Sequence, residues 1–160
     1  MSWEDAEDYC RYIGKRLHTE AEWERVATWS NGQKYKNPSG KNSISCNDAV
    51  IDDGNKYGGS VSDGCGKNRT WPVGSKPKGI NGTFDMAGNV GEWVADGSMM
   101  GSGSSMKGID QRNPKGPPTG SKRVVRRGRW TLSGHRGTIP RFNSLSYWRH
   151  SLGFRCAGSP

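Results

Sequence analysis

Three histidines, four cysteines and an aromatic-rich tail are the side chains on which chemistry could rest. His18, His135 and His150 have no Asp or Cys neighbour at motif spacing. Each therefore reads as a surface or hydrogen-bonding residue rather than a proton shuttle. Cys10, Cys46, Cys65 and Cys156 include no Cys-x-x-Cys pair, which argues against a zinc site. Cys46 and Cys65 flank a Gly- and Asp-rich loop and are candidates to pair with each other. The remaining chemistry lies between Thr131 and Leu152. There Thr131, Leu132, Ser133, His135, Ile139, Phe142, Asn143, Ser144, Tyr147, Trp148 and His150 follow neither helical nor strand periodicity. Large apolar side chains exposed on a loop lower solubility unless a partner covers them. Binding loops combine aromatic anchors with adaptable Ser and Asn in this way, so the stretch reads as a ligand-binding surface. The alternative is an ordinary loop that packs Phe142, Tyr147 and Trp148 into the core.

Such a surface needs a frame. Ser2 with Asp5 is a capping pair and Gly14 a stop, which predicts a helix over residues 3–13. Trp3, Ala6, Cys10 and Ile13 recur at helical spacing and are expected to face the core. Thr19 with Glu22 opens a second helix over residues 20–28, with Ala21, Trp23, Val26 and Ala27 on its apolar face. Residues 30–68 are rich in Gly, Asn, Ser and Asp, which favour turns over ladders. Residues 70–74 read as a short edge strand, residues 97–121 as a long surface loop, and residues 123–126 and 152–157 as strands.

Composition agrees with a loop-rich domain. The 160 residues are 31% hydrophobic with a mean hydropathy of -0.90, and seven Trp partly offset the shortage of aliphatic side chains. One domain over 1–160 is expected. No apolar run is long enough to span a membrane. The net charge of +9 is uneven: residues 107–160 carry 12 basic side chains against the single acid Asp110. A basic tail draws acidic partners, unless its arginines pair internally with the acidic N-terminal helices. No specific nucleic-acid motif accompanies the charge.

Three blocks carry a family resemblance: Ser2-Trp3-Glu4-Asp5-Ala6-Glu7-Asp8-Tyr9-Cys10 with Thr19-Glu20-Ala21-Glu22-Trp23-Glu24, then Asp85-Met86-Ala87-Gly88-Asn89-Val90-Gly91-Glu92-Trp93, then Gly153-Phe154-Arg155-Cys156-Ala157. In this order they resemble the formylglycine-generating enzyme (sulfatase-modifying factor) family. The resemblance implies an α+β, C-type-lectin-like fold with two N-terminal helices, short antiparallel strands and long loops. The family usually has extra strands before this point, so the domain reads as N-terminally truncated. The resemblance also implies a Cys10–Cys156 disulfide. With Cys46 and Cys65, that suits a cell-surface, secreted or virion-associated setting.

The same resemblance implies a Ca²⁺ site, with Asp85 and Glu92 as carboxylate ligands and the Gly88 and Val90 carbonyls completing the shell. A hard cation prefers such an oxygen set, although Asp85 and Glu92 bracing the turn through backbone amides explains the residues equally. Formylglycine generation needs a redox-active cysteine pair after the Gly-x-Trp strand. The matching stretch, Gly128 to Thr138, has no cysteine, which argues against that enzyme activity. The segment instead resembles the variable region of diversity-generating-retroelement proteins, whose rewritten Asn-type codons cannot yield Lys, Glu, Gln, Met or Trp. Between Thr131 and Leu152 only Trp148 breaks that rule. The expected role is non-enzymatic binding of a macromolecular or cell-surface ligand, acidic by preference, without membrane insertion. The alternatives are an enzyme or accessory domain related to the sulfoxide-synthase branch, and a purely structural module.

Overall fold

The computed structural model describes residues 1–52, 54, 56–57, 60–61, 63–97, 114, 116, 120–126, 128–131 and 141–158, with the side chains of 56, 57, 60, 61, 63, 141 and 142 outside that description. In chain order the elements are α1 (Trp3–Tyr12), β1 (Arg16–Leu17), α2 (Glu20–Thr28), β2 (Trp29–Ser30), β3 (Gln33–Lys34), β4 (Lys56–Tyr57), β5 (Ser60–Val61), the one-turn α3 (Asp63–Gly66), β6 (Gly91–Gly97), β7 (Lys122–Arg126), β8 (Arg141–Ser144), β9 (Leu152–Phe154) and β10 (Cys156–Ala157). This is the expected α+β mixture. Contact density divides the chain into two compact units, one of Met1–Trp23, Glu92–Arg126 and Pro140–Pro160, the other of Glu24–Gly91 and Arg127–Ile139.

In the first unit, α1 starts where its cap dictates. The Asp5 amide donates to Ser2 Oγ at 3.1 Å, and the Ser2 amide donates to Asp5 Oδ2 at 2.9 Å. The reciprocal pair satisfies two donors that the first helical turn would otherwise leave open. Trp3, Ala6 and Cys10 are buried as expected, but Ile13 is 40% exposed. The reason is local: Ile13 is the C-cap, off helical geometry, and Gly14 follows at φ 71°. Thr19 and Glu22 form the second capping box, at 2.8 and 3.2 Å.

The first unit's sheet has the order β8-β7-β6-β9, and β1 pairs with β10 apart from it. Strand β6 is buried along almost its whole length, so its sequence shows none of the alternation by which a half-buried strand is recognised. A cluster of Trp3, Ala6, Cys10, Leu17, Trp93 and Val125 forms the core, and Leu145, Tyr147, Leu152 and Phe154 pack against it. Cys10 and Cys156 are bridged, Cα to Cα 5.5 Å, which fastens α1 to β10. The strand expected over residues 152–157 is interrupted at Arg155, whose guanidinium turns to Glu92.

The second unit is held by a smaller cluster of Ala49, Ile51 and Ala87 and by the Cys46–Cys65 disulfide. β2 and β3 form a hairpin over Asn31-Gly32, both at positive φ, the signature of a tight two-residue turn. The edge strand expected over residues 70–74 is absent. The Trp71 amide donates to Asn89 Oδ1 at 3.0 Å and the Trp71 carbonyl accepts from Asn89 Nδ2 at 3.1 Å, so a side chain takes the groups a ladder would use. Val50 bridges Gly88 in parallel. A Cβ on Gly88 would lie 2.3 Å from the Val50 carbonyl oxygen, at a φ of 79°, so only glycine fits there.

Candidate binding face and ligand-bearing loop

Over residues 143–148 the chain alternates. Asn143, Leu145 and Tyr147 are half-buried, whereas Ser144, Ser146 and Trp148 are exposed, followed by exposed Arg149 and His150. The alternation is in exposure, whereas the residue types of the segment follow no period. The alternation begins in β8, an outer strand of its sheet, where Asn143 opposes Arg123 and Ser144 opposes Lys122. It continues through a turn closed by the Tyr147 amide on the Ser144 carbonyl, 3.0 Å. Leu145 is anchored twice: its side chain packs on the core, and its carbonyl accepts from the Trp3 amide at 3.1 Å. Tyr147 packs on the same core, with the Arg149 guanidinium 5.4 Å from its ring centre.

The predicted binding residues therefore separate. Ser144, Trp148 and His150 are on the surface, and Trp148, at 71% exposed, is the outstanding aromatic. Tyr147 is part of the frame. Asn143 and Thr131 are half-buried. Leu132, Ser133, His135 and Ile139 lie outside the described residues. For Phe142 the backbone is described, opposite Val124, and the side chain is not. Ser146, Arg149 and Lys122 belong to the same exposed stretch although the sequence does not single them out. Lys122 becomes its neighbour only through the β7–β8 register, which no local pattern encodes.

Among the described residues of the basic tail, three arginines are spent inside. Arg126 pairs with Glu20 at 2.9 Å, each side chain 2% exposed, and its guanidinium stands over the Trp23 ring. Arg123 is buried over the Trp3 ring, 4.3 Å from its centre. Arg155 donates to both oxygens of Glu92, whose Oε2 also accepts from Trp23 Nε1 at 2.6 Å. A buried charge needs such partners, since an uncompensated one is costly. Among the described residues of the basic third, Lys122 and Arg149 remain as exposed cations. Beside this network, burial pushes the His18 imidazole below its ordinary value, against the pull of the Glu92 charge. At the α2 cap, hydrogen bonds from Arg16 hold Glu22 down to about 2.

The ligand set implied for calcium fits unevenly. Asp85 sits at φ 56°, its Oδ2 accepting from the Gly74 amide at 2.8 Å, and its Oδ1 is buried with no hydrogen-bond partner. An orphaned carboxylate oxygen suits a hard cation. Gly88 and Val90 belong with Asp85 to the second unit and Glu92 to the first. Glu92 already receives three donors, of the roughly four lone-pair positions a carboxylate offers. Its main work in this structure is to neutralise Arg155. Among the described residues no three His, Cys, Asp or Glu side chains gather as a metal cluster.

All four cysteines are used in the two disulfides, which accords with an oxidising environment. Among the described residues no helix is long and apolar enough to cross a membrane. The chain is 31% identical over 173 residues to a Bos taurus formylglycine-generating enzyme, which covers 98% of this chain and 42% of that relative. It is 34% identical over 166 residues to the inactive C-alpha-formylglycine-generating enzyme 2 of Bos taurus, covering 98% of this chain and 48% of that one. Among solved structures, variable protein 1 of Treponema denticola superposes with a TM-score of 0.70 at 29% identity, over 91% of this chain and 48% of that one. The chain thus spans less than half the length of each. The fold is the C-type-lectin-like one expected from the motifs. The model of the sulfatase-modifying factor enzyme 1-like domain matches residues 1–160 in full, and the chain belongs to that family.

Proposed function

We propose that this domain is a non-enzymatic binding module that presents an interchangeable surface on a fixed frame. The observation that carries the reading is the alternation over residues 143–148. Leu145 and Tyr147 pack on the core, and Ser144, Ser146 and Trp148 between and after them face solvent. Exposed tryptophan and arginine are the residue types that dominate interface energetics. The likeness to a variable protein supports the reading, as does a segment Gly128–Thr138 without cysteine in a chain whose cysteines are all bridged. The ligand is a macromolecule or cell-surface group, with Lys122 and Arg149 favouring acidic chemistry. The setting is secreted, cell-surface or virion-associated. Sequencing the neighbouring DNA tests the interchangeable part. A near-copy of the codons for residues 128–156, differing at adenines and beside a reverse-transcriptase gene, is expected; a locus without one removes it.

Identity above 30% to a formylglycine-generating enzyme favours a second reading, an enzyme or accessory domain of that family. Incubation with a sulfatase-motif peptide, copper, oxygen and thiol discriminates the two. The binding module yields no aldehyde, and an aldehyde would establish the enzyme.

A further inference from the structure

The second unit holds a cavity of about 270 Å³ lined by two loops, one within residues 38–49 and one within residues 77–87. Backbone groups join the loops. The Ile80 amide donates to the Pro38 carbonyl at 2.8 Å, and Gly79 approaches the same carbonyl so closely that a Cβ on it would stand 2.8 Å from the oxygen. The first loop is held in shape by Asn37, whose Nδ2 donates to the carbonyls of Lys41 and Asn42 at 3.0 and 3.1 Å. Pro38, Ile44, Pro77 and Met86 make part of the lining apolar. Thr83 and Asp85 also line it, and each carries an oxygen, Oγ1 and Oδ1, that is buried and has no hydrogen-bond partner. An enclosed carboxylate oxygen without a donor is costly, because bulk water no longer compensates it. Asp85 is fixed in place: it sits at φ 56°, and its Oδ2 accepts from the Gly74 amide at 2.8 Å. The two lysines of the lining are engaged elsewhere. Lys41 pairs with Asp48, and the Lys78 ammonium stands over the Phe84 ring, 5.4 Å from its centre. Neither gives Asp85 Oδ1 a counter-charge.

We propose that this cavity binds a primary ammonium group on a short aliphatic stem, with the ammonium at Asp85 Oδ1 and Thr83 Oγ1 and the stem along the apolar lining. An ammonium carries three donors and a positive charge, so one group serves both oxygens, and its bond to the carboxylate is charge-assisted. The volume and the apolar lining set this ligand apart from a bare metal ion. A hard cation takes about six to eight oxygens and leaves such a wall unused. A stem laid along Pro38, Ile44, Pro77 and Met86 instead removes apolar surface from water on both partners. The cavity lies within the second unit and does not depend on what binds at residues 143–148.

Titration of the whole isotope-labelled chain with n-pentylammonium in EDTA, followed by NMR, tests the proposal. Saturable shifts are expected at the amides of Ile44, Thr83, Asp85 and Met86. n-Pentanol has the same stem without the charge, and methylammonium has the charge with almost no stem. Each should bind about tenfold more weakly or worse, the first for want of a charge-assisted bond and the second for want of apolar burial. Asp85→Asn keeps an acceptor for the Gly74 amide and tolerates positive φ, so it removes the charge and spares the turn. It should weaken n-pentylammonium by about tenfold and leave n-pentanol unchanged. Thr83→Val keeps the shape, and its loss of one bond should weaken n-pentylammonium by about fivefold. Nα-acetyl-lysine amide offers the same stem from a peptide backbone. Binding as tight as that of n-pentylammonium would assign the ligand to a lysine of a partner protein, and weaker binding would assign it to a free amine; both outcomes support the site. Absence of saturable shifts, as in a cavity that takes solvent only, would overturn the proposal. So would methylammonium binding as tightly as n-pentylammonium, or an affinity that Asp85→Asn leaves unchanged while the spectrum shows an intact fold.

Discussion

If the alternation over residues 143–148 separates surface from frame, substitutions must divide by parity. Trp148 is 71% exposed, so of the roughly 250 Å² of a large aromatic about 70 Å² is covered. At ~25 cal/mol per Å² its burial contributes at most about 2 kcal/mol, an upper bound since the unfolded chain also buries surface. Ser144, Ser146 and His150 are ordinary exposed positions, each within ~0.5 kcal/mol. Replacing all four by alanine should therefore cost at most about 3.5 kcal/mol, most of it from Trp148. Leu145 and Tyr147 pack on the core, and alanine at each should cost about 2–3 kcal/mol, with the pair near 5. The two sets are interleaved along one short stretch, so position in the chain cannot explain the difference. Urea unfolding followed by circular dichroism avoids the changed fluorescence of a lost tryptophan and gives both numbers. A quadruple variant as damaged as the Leu145/Tyr147 pair would show that Trp148 and its neighbours are frame. The binding reading would then lose its carrying observation.

Other consequences are as direct. The disulfides close loops with sequence separations of 146 and 19 residues, so Cys10→Ser/Cys156→Ser should cost about 5 kcal/mol and Cys46→Ser/Cys65→Ser about 3, with unfolding midpoints in that order and peptide mapping confirming the pairs. Calcium should raise the melting temperature and EDTA lower it; Asp85→Ala should abolish the response, while Glu92→Gln destabilises with or without the ion because Arg155 loses its counter-charge. If EDTA changes nothing, Asp85 only braces its turn. The Glu22 carboxyl is depressed from 4.5 to about 2 in the fold, so its stabilisation is present above pH 4.5 and is lost as pH falls toward 2. Glu22→Gln should flatten the melting-temperature profile between those values, and an unchanged slope would show that the Arg16 pair contributes nothing there.

How far the fold is legible follows from where its signals are local. Both helices are announced by residues three apart, Ser2 with Asp5 and Thr19 with Glu22, and both form as announced. Strand β7 is legible from its alternation. β6 is not, because burial along nearly all of Gly91–Gly97 erases the period that marks a strand. The stretch over residues 70–74 has the look of a strand but no partner: Asn89, 18 residues away, takes the Trp71 backbone instead. Ile13 obeys helical spacing yet is exposed, since spacing does not tell a last helical residue from a cap.

The division of residues 143–148 into inward and outward positions fails to show itself in sequence for a related reason. In β6 nearly every position is buried, Glu92 and Asp96 included, so burial shows no alternation. In the tail, alternation is present in exposure but absent in residue type, because the outward position 148 carries the largest aromatic while the inward position 143 carries Asn. A frame position can be polar when it only half-buries, and a surface position can be apolar when a partner is to cover it. Hydrophobic periodicity then points the wrong way at positions 143 and 148. The arginines mislead similarly. Composition alone gives the last third a strongly basic character, but Arg123, Arg126 and Arg155 point inward to Trp3, Glu20 and Glu92, partners that precede them by more than 60 residues. Among the described residues there, the exposed cations are Lys122 and Arg149, with Trp148 also exposed. On the binding reading proposed above, these residues favour a ligand with an apolar contact for the indole and negative charge beside it. On that reading Trp148→Ala should weaken binding of an acidic ligand, and strong binding to heparin that survives Trp148→Ala would contradict it.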